Sequence, residues 1–425
     1  FFLYSDVGRV SAFHFPNALY VARVSRGRCP WDRLAPMRKP AIFSVLLLSA
    51  TLPFAAAQNP TARSVDSAQP SQPVQPKPAP TDISPEVRAD GSVTFRIAAP
   101  NAKEVLVSVE GTRMPMAQDA TGLWSLTTQP YTPEIYSYRF RVDGSYVLDT
   151  KNPSIQTNLQ ELVNTFTIPG NPPMPWEVQA IPHGEITHHF YTTSVVLNAP
   201  ANQDEYYVYT PPGFNPKAKT SYPVLYLLHG YSDGADGWLS AGKANNIFDS
   251  LIATGKAKPM IVVMTLGYGN LAVLKPGRTP ALNTQNMDLF QTMLLSEIIP
   301  RVEAEYPVIK DRDHRAIAGL SMGGAESLLT GLNHTDLFAW IGTFSAGLNP
   351  TTLARIPAVT PQKANLHLLW MACGVDDALL KPNQAAIATL KAQGLPITAI
   401  ETPGHHQWPV WRDNLIHFTP LLFQK

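Results

Sequence analysis

Between residues 84 and 168, apolar and polar positions alternate in short runs. Val93-Thr94-Phe95-Arg96-Ile97 and Val105-Leu106-Val107-Ser108-Val109 carry the period of two that places apolar side chains on one face of a half-buried strand. Leu123-Trp124-Ser125-Leu126 and residues 136–142 repeat it, and Asp143-Gly144 marks a tight turn into Tyr146-Val147-Leu148. About seven short strands in so short a stretch predict a β-sandwich over residues 83–170. A Pro-rich joint at 169–175 follows.

Beyond residue 180 the pattern changes. Continuous apolar runs at 222–228, 260–266, 315–320, 341–344 and 367–372, with a further segment at 397–401, read as strands buried on both faces. Helical spacing fills the intervals at 243–254, 289–306, 322–332 and 410–423. Strands alternating with helices predict an α/β fold with a mostly parallel sheet over 180–425. The segment 269–286 lacks periodicity and is long for a connection, so it is expected to wall a binding pocket.

The first residues read as an address. Met37-Arg38-Lys39, an apolar run at 42–52 and Ala55-Ala56-Ala57 before Gln58 have the plan of a signal peptide, so residues 1–57 are expected to be upstream sequence and signal, with Met37 as the start. The apolar run is shorter than a membrane span, so export without a retained membrane anchor is the expected fate. Residues 58–82, rich in Pro, Gln, Ser and Ala, cannot form a core and predict an extended linker.

Composition adds exclusions. The 425 residues include 33 basic and 32 acidic side chains, a net charge of +1, which argues against a surface built to grip nucleic acid. The two cysteines, Cys29 and Cys373, have no metal-ligand spacing and suggest no disulfide framework; Cys373 lies in an apolar strand and reads as a small core residue.

Chemistry concentrates at Gly319-Leu320-Ser321-Met322-Gly323-Gly324, between a predicted strand and a predicted helix. That setting holds a serine on a sharp turn, with a helix N-terminus favouring the negative charge that develops beside it. A serine needs a base and an acid, in the chain order Ser, acid, His. Of the later histidines, His334, His367 and His417 fall on or beside helices and strands, whereas His405 and His406 share the loop after the last strand, and either suits the base. Asp376 and Asp377 follow the strand 367–372 and either suits the acid; Asp413 comes after the histidines, on a helix. The backbone amides of Met322 and of Tyr231, in His229-Gly230-Tyr231, are the expected oxyanion donors. His229 itself reads as a buried structural residue. No metal or organic cofactor is required.

Tyr222-Pro223-Val224-Leu225-Tyr226-Leu227-Leu228-His229-Gly230, residues 319–324 and Gly404-His405-His406-Gln407-Trp408 together resemble carbohydrate esterase family one, which holds feruloyl, acetyl xylan and esterase D-like enzymes, with the enterochelin esterases as relatives. The resemblance implies His406 as base and Asp377 as acid. It departs from the family at His405, where a second glycine is usual. Val93-Thr94-Phe95-Arg96, Ala99-Pro100-Asn101-Ala102, Gly122-Leu123-Trp124 and Tyr136-Ser137-Tyr138 resemble carbohydrate-binding module family 48, an immunoglobulin-like domain. Trp124 invites sugar stacking, although an aromatic at this place more often belongs to a sandwich core. The resemblance implies an α/β-hydrolase domain over 180–425 and a serine esterase acting on feruloyl or acetyl groups of xylan, with the N-terminal region a candidate for xylan binding; the signal pattern makes it secreted or periplasmic by expectation. A siderophore esterase, an acyltransferase and a non-catalytic glycan-binding protein are the alternative expectations.

Overall fold

The computed structural model describes residues 83–424 except 218, 358 and 359. The expected signal peptide and Pro-rich linker lie outside the described residues.

Residues 86–168 form two antiparallel sheets. One has the order Glu86–Val87, Val93–Ala98, Leu123–Thr127, Ala117–Gln118. The other runs Thr112–Pro115, Val105–Val109, Glu134–Val142, Leu162–Ile168, Ile155–Thr157, with Ser145–Val147 paired to Glu134–Val142. The apolar positions of the alternating pattern, Val93, Phe95, Val107 and Phe140 among them, close a separate core. Phe95 lies 4.8 Å from Tyr138 and 5.5 Å from Phe166 between ring centroids, the tilted and edge-on contacts that aromatic rings favour. Trp124 belongs to this core: it is 8% exposed and its indole N–H donates to the Ala99 carbonyl at 2.9 Å. The sugar-stacking expectation for Trp124 therefore fails, because its faces are packed.

The rest is an eight-stranded sheet. Its strands are β1 (Glu185–Thr192), β2 (Gln203–Thr210), β3 (Val224–Leu228), β4 (Ile261–Thr265), β5 (Arg315–Leu320), β6 (Trp340–Phe344), β7 (Leu368–Gly374) and β8 (Ile397–Thr402), in the order 1-2-4-3-5-6-7-8. From β4 to β8 every pairing is parallel, while β2 pairs antiparallel with both β1 and β4. The two cores on its faces explain the continuous apolar runs. Along β3, Val224, Tyr226 and Leu228 enter one core and Leu225 and Leu227 the other. β1 escaped the sequence reading because it is an exposed edge with polar residues at most positions and offers no apolar run; β2, an interior strand, was missed as well.

One helix starts earlier than its periodicity predicts. It spans Pro280–Met293, opens with the Thr279 hydroxyl accepting from the Leu282 amide, and places Pro280 in the first turn. A capping threonine followed by proline is a start signal independent of amphipathicity, and that signal, not the weak apolar stripe, sets the boundary. A π-helical turn, Leu294–Ile298, links it to Ile299–Glu305.

The joint after the antiparallel sheets is packed. Trp176 is 2% exposed in a core of the large sheet, and its carbonyl accepts from the Asn246 side chain at 2.9 Å. Arg412, 1% exposed on the last helix Trp408–Phe418, donates to the Glu134 carboxylate and the Ile135 carbonyl of the antiparallel region and to the Ala241 carbonyl of the α/β region. The parallel strands β3, β5, β7 and β8 all end at the same edge of the sheet, where ligands of open α/β sheets gather.

Candidate active site

β5 ends at Leu320 and the helix Ser321–Asn333 begins on the next residue. The turn puts Ser321 at φ 71°, a left-handed conformation that costs a non-glycine residue about 1–3 kcal/mol and persists only where its surroundings hold it. Close packing holds it here. A Cβ on Gly319 would lie 2.5 Å from the Gly323 carbonyl oxygen, and one on Gly323 would lie 2.4 Å from the His229 carbonyl oxygen. The helix therefore sits directly against the ends of β5 and β3.

The Ser321 hydroxyl lies 2.9 Å from His406 Nε2, and His406 Nδ1 lies 2.8 Å from Asp377 Oδ2. Asp377 is 6% exposed. Burial acts to raise its carboxyl pKa, but hydrogen bonds from His406 and from the Leu379 amide outweigh it and hold the group below the ordinary aspartate value. The carboxylate is thus ionised at neutral pH, which fixes the proton of the neutral imidazole on Nδ1 and leaves Nε2 to accept from the serine.

The structure brings His406 and Asp377 to Ser321 and turns their neighbours elsewhere. His405 is exposed, and its Nδ1 donates to the Asp376 carbonyl at 3.0 Å. The Asp376 amide in turn donates to the Gly404 carbonyl at 3.0 Å. His334 bonds to Gln291, His367 to Asp313, and His417 to Asp413.

Met322 lies in the first turn of its helix, where amides lack intrahelical partners. The loop after β3 runs alongside: a Cβ on Gly230 would lie 3.4 Å from Ser321 Cβ, and Tyr231 is the next residue. The Tyr231 hydroxyl is occupied away from the serine, donating to the Val273 carbonyl at 3.1 Å and accepting from the Gln160 side chain at 2.8 Å. His229, 1% exposed, accepts from the Gly267 amide at Nε2 and donates from Nδ1 to the Gly230 carbonyl, both at 2.8 Å. Burial pushes its pKa down to about 4, so it stays neutral and ties the loops after β3 and β4 together.

Glu326 went unnoticed in the sequence. It is 1% exposed on the helix that starts at Ser321, and neither carboxyl oxygen has a hydrogen-bond partner among the described residues. Burial raises its pKa well above 4.5. A carboxyl whose folded-state pKa is raised contributes stability at low pH that is lost as pH rises through that raised value. Glu326→Gln is therefore expected to melt at a higher temperature than the parent, with a gap that widens from pH 4.5 towards pH 8, at about 2–4 °C per kcal/mol. Thermal melts at the two pH values check this; a constant gap would show that ionisation of Glu326 carries no cost.

Two cavities meet at Ser321. The smaller, about 300 Å³, lies between the antiparallel region and the α/β region, bounded by Glu110, Ser137, Gln156, His406 and Trp411. The larger, about 540 Å³, is bounded by Val273, Arg278, Met287, Met322 and Arg355. The segment 269–286 supplies Val273, Arg278, Pro280, Asn283, Thr284 and Asn286 to its wall. The Arg278 guanidinium stacks over the Tyr231 ring at 4.2 Å. No cluster of His, Cys, Asp and Glu suited to a metal occurs among the described residues. Cys373 is buried, and burial pushes its thiol up to about 12.

Residues 198–422 match the family model described as "Putative esterase". The chain belongs to this esterase family. Among curated relatives, it is 29% identical over 372 residues to an endo-1,4-beta-xylanase/feruloyl esterase of Xylanibacter ruminicola, covering 85% of this chain and 49% of that protein. The chain thus spans about half the length of that relative. It is 25% identical over 226 residues to an acetyl esterase of Caldicellulosiruptor saccharolyticus, covering 44% of this chain and 78% of the other. Among solved structures, the enterochelin esterase of Shigella flexneri superposes with a TM-score of 0.61 at 18% identity, covering 78% of this chain and 92% of that one. A ferulic acid esterase of Anaeromyces mucronatus gives 0.51 at 22% identity, over 58% and 93%. Both likenesses bear on the α/β-hydrolase fold.

Proposed function

We propose that this member of the esterase family is an exported serine carboxylic-ester hydrolase that removes acyl groups, feruloyl before acetyl, from xylan. The observation that carries the reading is the continuous hydrogen-bonded chain from Ser321 through His406 to the ionised Asp377. Ser321 Oγ attacks the ester carbonyl as His406 Nε2 takes its proton, and Asp377 holds the imidazole and steadies the cation that forms. The Met322 and Tyr231 amides receive the developing oxyanion. His406 then passes its proton to the departing alcohol, an acyl-enzyme remains on Ser321, and water activated by the same histidine releases the acid.

The preference for a bulky acyl group rests on the larger cavity. Its volume of about 540 Å³ is within the range that encloses whole small ligands, well beyond what an acetyl group fills. Its apolar members, Val273, Met287 and Met322, suit an aromatic ring. The likeness to the Xylanibacter feruloyl esterase, which extends across the antiparallel region, supports the same choice. We assign that region to the immunoglobulin-like sandwiches resembling carbohydrate-binding module family 48, and give it a part in holding xylan. Export rests on the signal-like pattern of residues 37–57; no helix among the described residues is long and apolar enough to cross a membrane.

A side-by-side assay of methyl ferulate, acetylated xylan and a triscatecholate siderophore tests the reading. The expected order has methyl ferulate hydrolysed fastest. Hydrolysis of the siderophore alone would replace the reading with a siderophore esterase. Xylan binding without hydrolysis of any ester between pH 5 and 9 would replace it with a glycan-binding protein.

A further inference from the structure

We infer that the smaller cavity is the seat of the departing alcohol and that Glu110, from the antiparallel region, hydrogen-bonds a sugar hydroxyl there. The inference rests on the esterase reading above and adds a subsite to it.

The two halves of an ester lie on opposite sides of the carbonyl that Ser321 attacks. His406 decides which half goes where. It must hand its proton to the alcohol oxygen, so the alcohol lies on the side His406 faces. His406 borders the smaller cavity and is absent from the wall of the larger one, although Ser321 borders both. The larger cavity is left to the acyl group.

The lining of the smaller cavity suits a polyhydroxylated alcohol. The Glu110 carboxylate accepts from the Ser137 amide and meets the Ser137 hydroxyl, which leaves acceptor positions on its two oxygens open to a further donor. The side-chain amides of Gln156 and Gln407, which border the same cavity, make no hydrogen bond with the described residues. Trp411 stands beside them, edge-on to the His406 ring at 4.9 Å between centroids. It is 6% exposed, and its indole N–H has no partner among the described residues. A sugar offers hydroxyls to these polar groups.

The backbone singles out Glu110 within this set. It occupies the first position of the two-residue turn between Val105–Val109 and Thr112–Pro115, at φ 45°, followed by Gly111 at φ 84°. Such turns favour Asn, Asp or Gly at that position. A glutamate there bears a backbone cost that a polar turn residue would avoid, and conformations of this kind cluster where a side chain is used. Burial pushes its carboxyl pKa up, against the Ser137 amide and the Arg412 charge. This is the state of a carboxyl waiting for a donor or able to be one.

The test uses the full chain and two esters of one acid: ferulate on a pentose oligosaccharide, and methyl ferulate. Glu110→Ala is expected to lower the ratio of kcat/KM for the sugar ester to that for the methyl ester at least about tenfold, mainly through KM, the size of one lost hydrogen bond to a charged or strongly polar group. Glu110→Gln, which still offers a hydrogen bond, should recover part of it. A parallel loss on both esters would mark Glu110 as structural and overturn the inference, as would an unchanged ratio. Should Glu110→Ala fail to fold, Gln156→Ala is expected to change the ratio in the same direction, and no change there overturns the inference as well. If the parent cleaves neither ferulate ester, the acyl assignment above fails; the same ratio is then read on acetylated xylo-oligosaccharide against 4-nitrophenyl acetate.

Discussion

Replacing Ser321 with alanine is expected to lower kcat by about 10⁶-fold on whichever ester the protein hydrolyses, and His406→Ala by a similar factor. The two act as one unit, because the hydroxyl is a nucleophile only while Nε2, 2.9 Å away, can take its proton. The double variant is therefore expected to be no worse than either single one. Asp377→Ala should cost less, about 10⁴-fold, since its part is to orient the imidazole and stabilise its charge. Ser321→Ala removes no buried side chain and should keep the parent's melting temperature, whereas His406→Ala takes a hydrogen-bond partner from the buried Asp377 carboxylate and should lower it. Burst titration with an aryl ester, one acyl group per chain in the parent and none in Ser321→Ala, checks the covalent step. Retention of even 1% of the parent rate by Ser321→Ala would sink the assignment.

The second large effect is on stability. Arg412→Met should destabilise the protein by about 3–5 kcal/mol, the usual result of removing one partner from a buried ion pair. Arg412 is buried, and its guanidinium meets three acceptors: the Glu134 carboxylate at 2.9 Å, the Ile135 carbonyl at 2.6 Å and the Ala241 carbonyl at 2.7 Å. Without it, the Glu134 carboxyl keeps the burial that raises its pKa and loses the charge that opposes the rise. The sign follows: a further-raised folded-state pKa means that stability is lost as pH rises, so the deficit of Arg412→Met should be larger at pH 8 than at pH 5. Adding Glu134→Gln should restore part of it. Denaturant unfolding at the two pH values measures both, and a loss below about 1 kcal/mol would show that the contact holds little.

Much of the site is legible in the sequence because one local pattern demands one geometry. A buried strand, two close-packed glycines and a helix start leave Ser321 no other place than a sharp turn at the sheet edge. The paired candidates are a different matter. His405 and His406, like Asp376 and Asp377, are adjacent in sequence and project in different directions, and composition does not distinguish them; the resemblance chose His406 and Asp377, and the structure brings those two to the serine. Glu110 and Arg412 were illegible. Their surroundings are made by residues far apart in the chain: Arg412 meets Glu134 across 278 positions, and Glu110 meets the His406 cavity only once the antiparallel sheets are docked. β1 was missed for a physical reason too, since an edge strand need not be apolar.

The loops that carry Asp377 and His406 are laced to each other. His405 grips the Asp376 carbonyl, the Asp376 amide grips the Gly404 carbonyl, and the Val375 amide grips Thr402. Both loops are continuations of the neighbouring strands β7 and β8, whereas Ser321 rises from β5, two places along from β7 in the sheet. Acid and base thus move as one body, and the remaining freedom is their offset from the serine. That offset is set by strand spacing, which backbone ladders hold at about 4.8 Å. Alignment of the site is in this sense a lattice constant of the sheet: sequence drift in the loops can reshape what is bound while leaving the distance across which the proton passes unchanged.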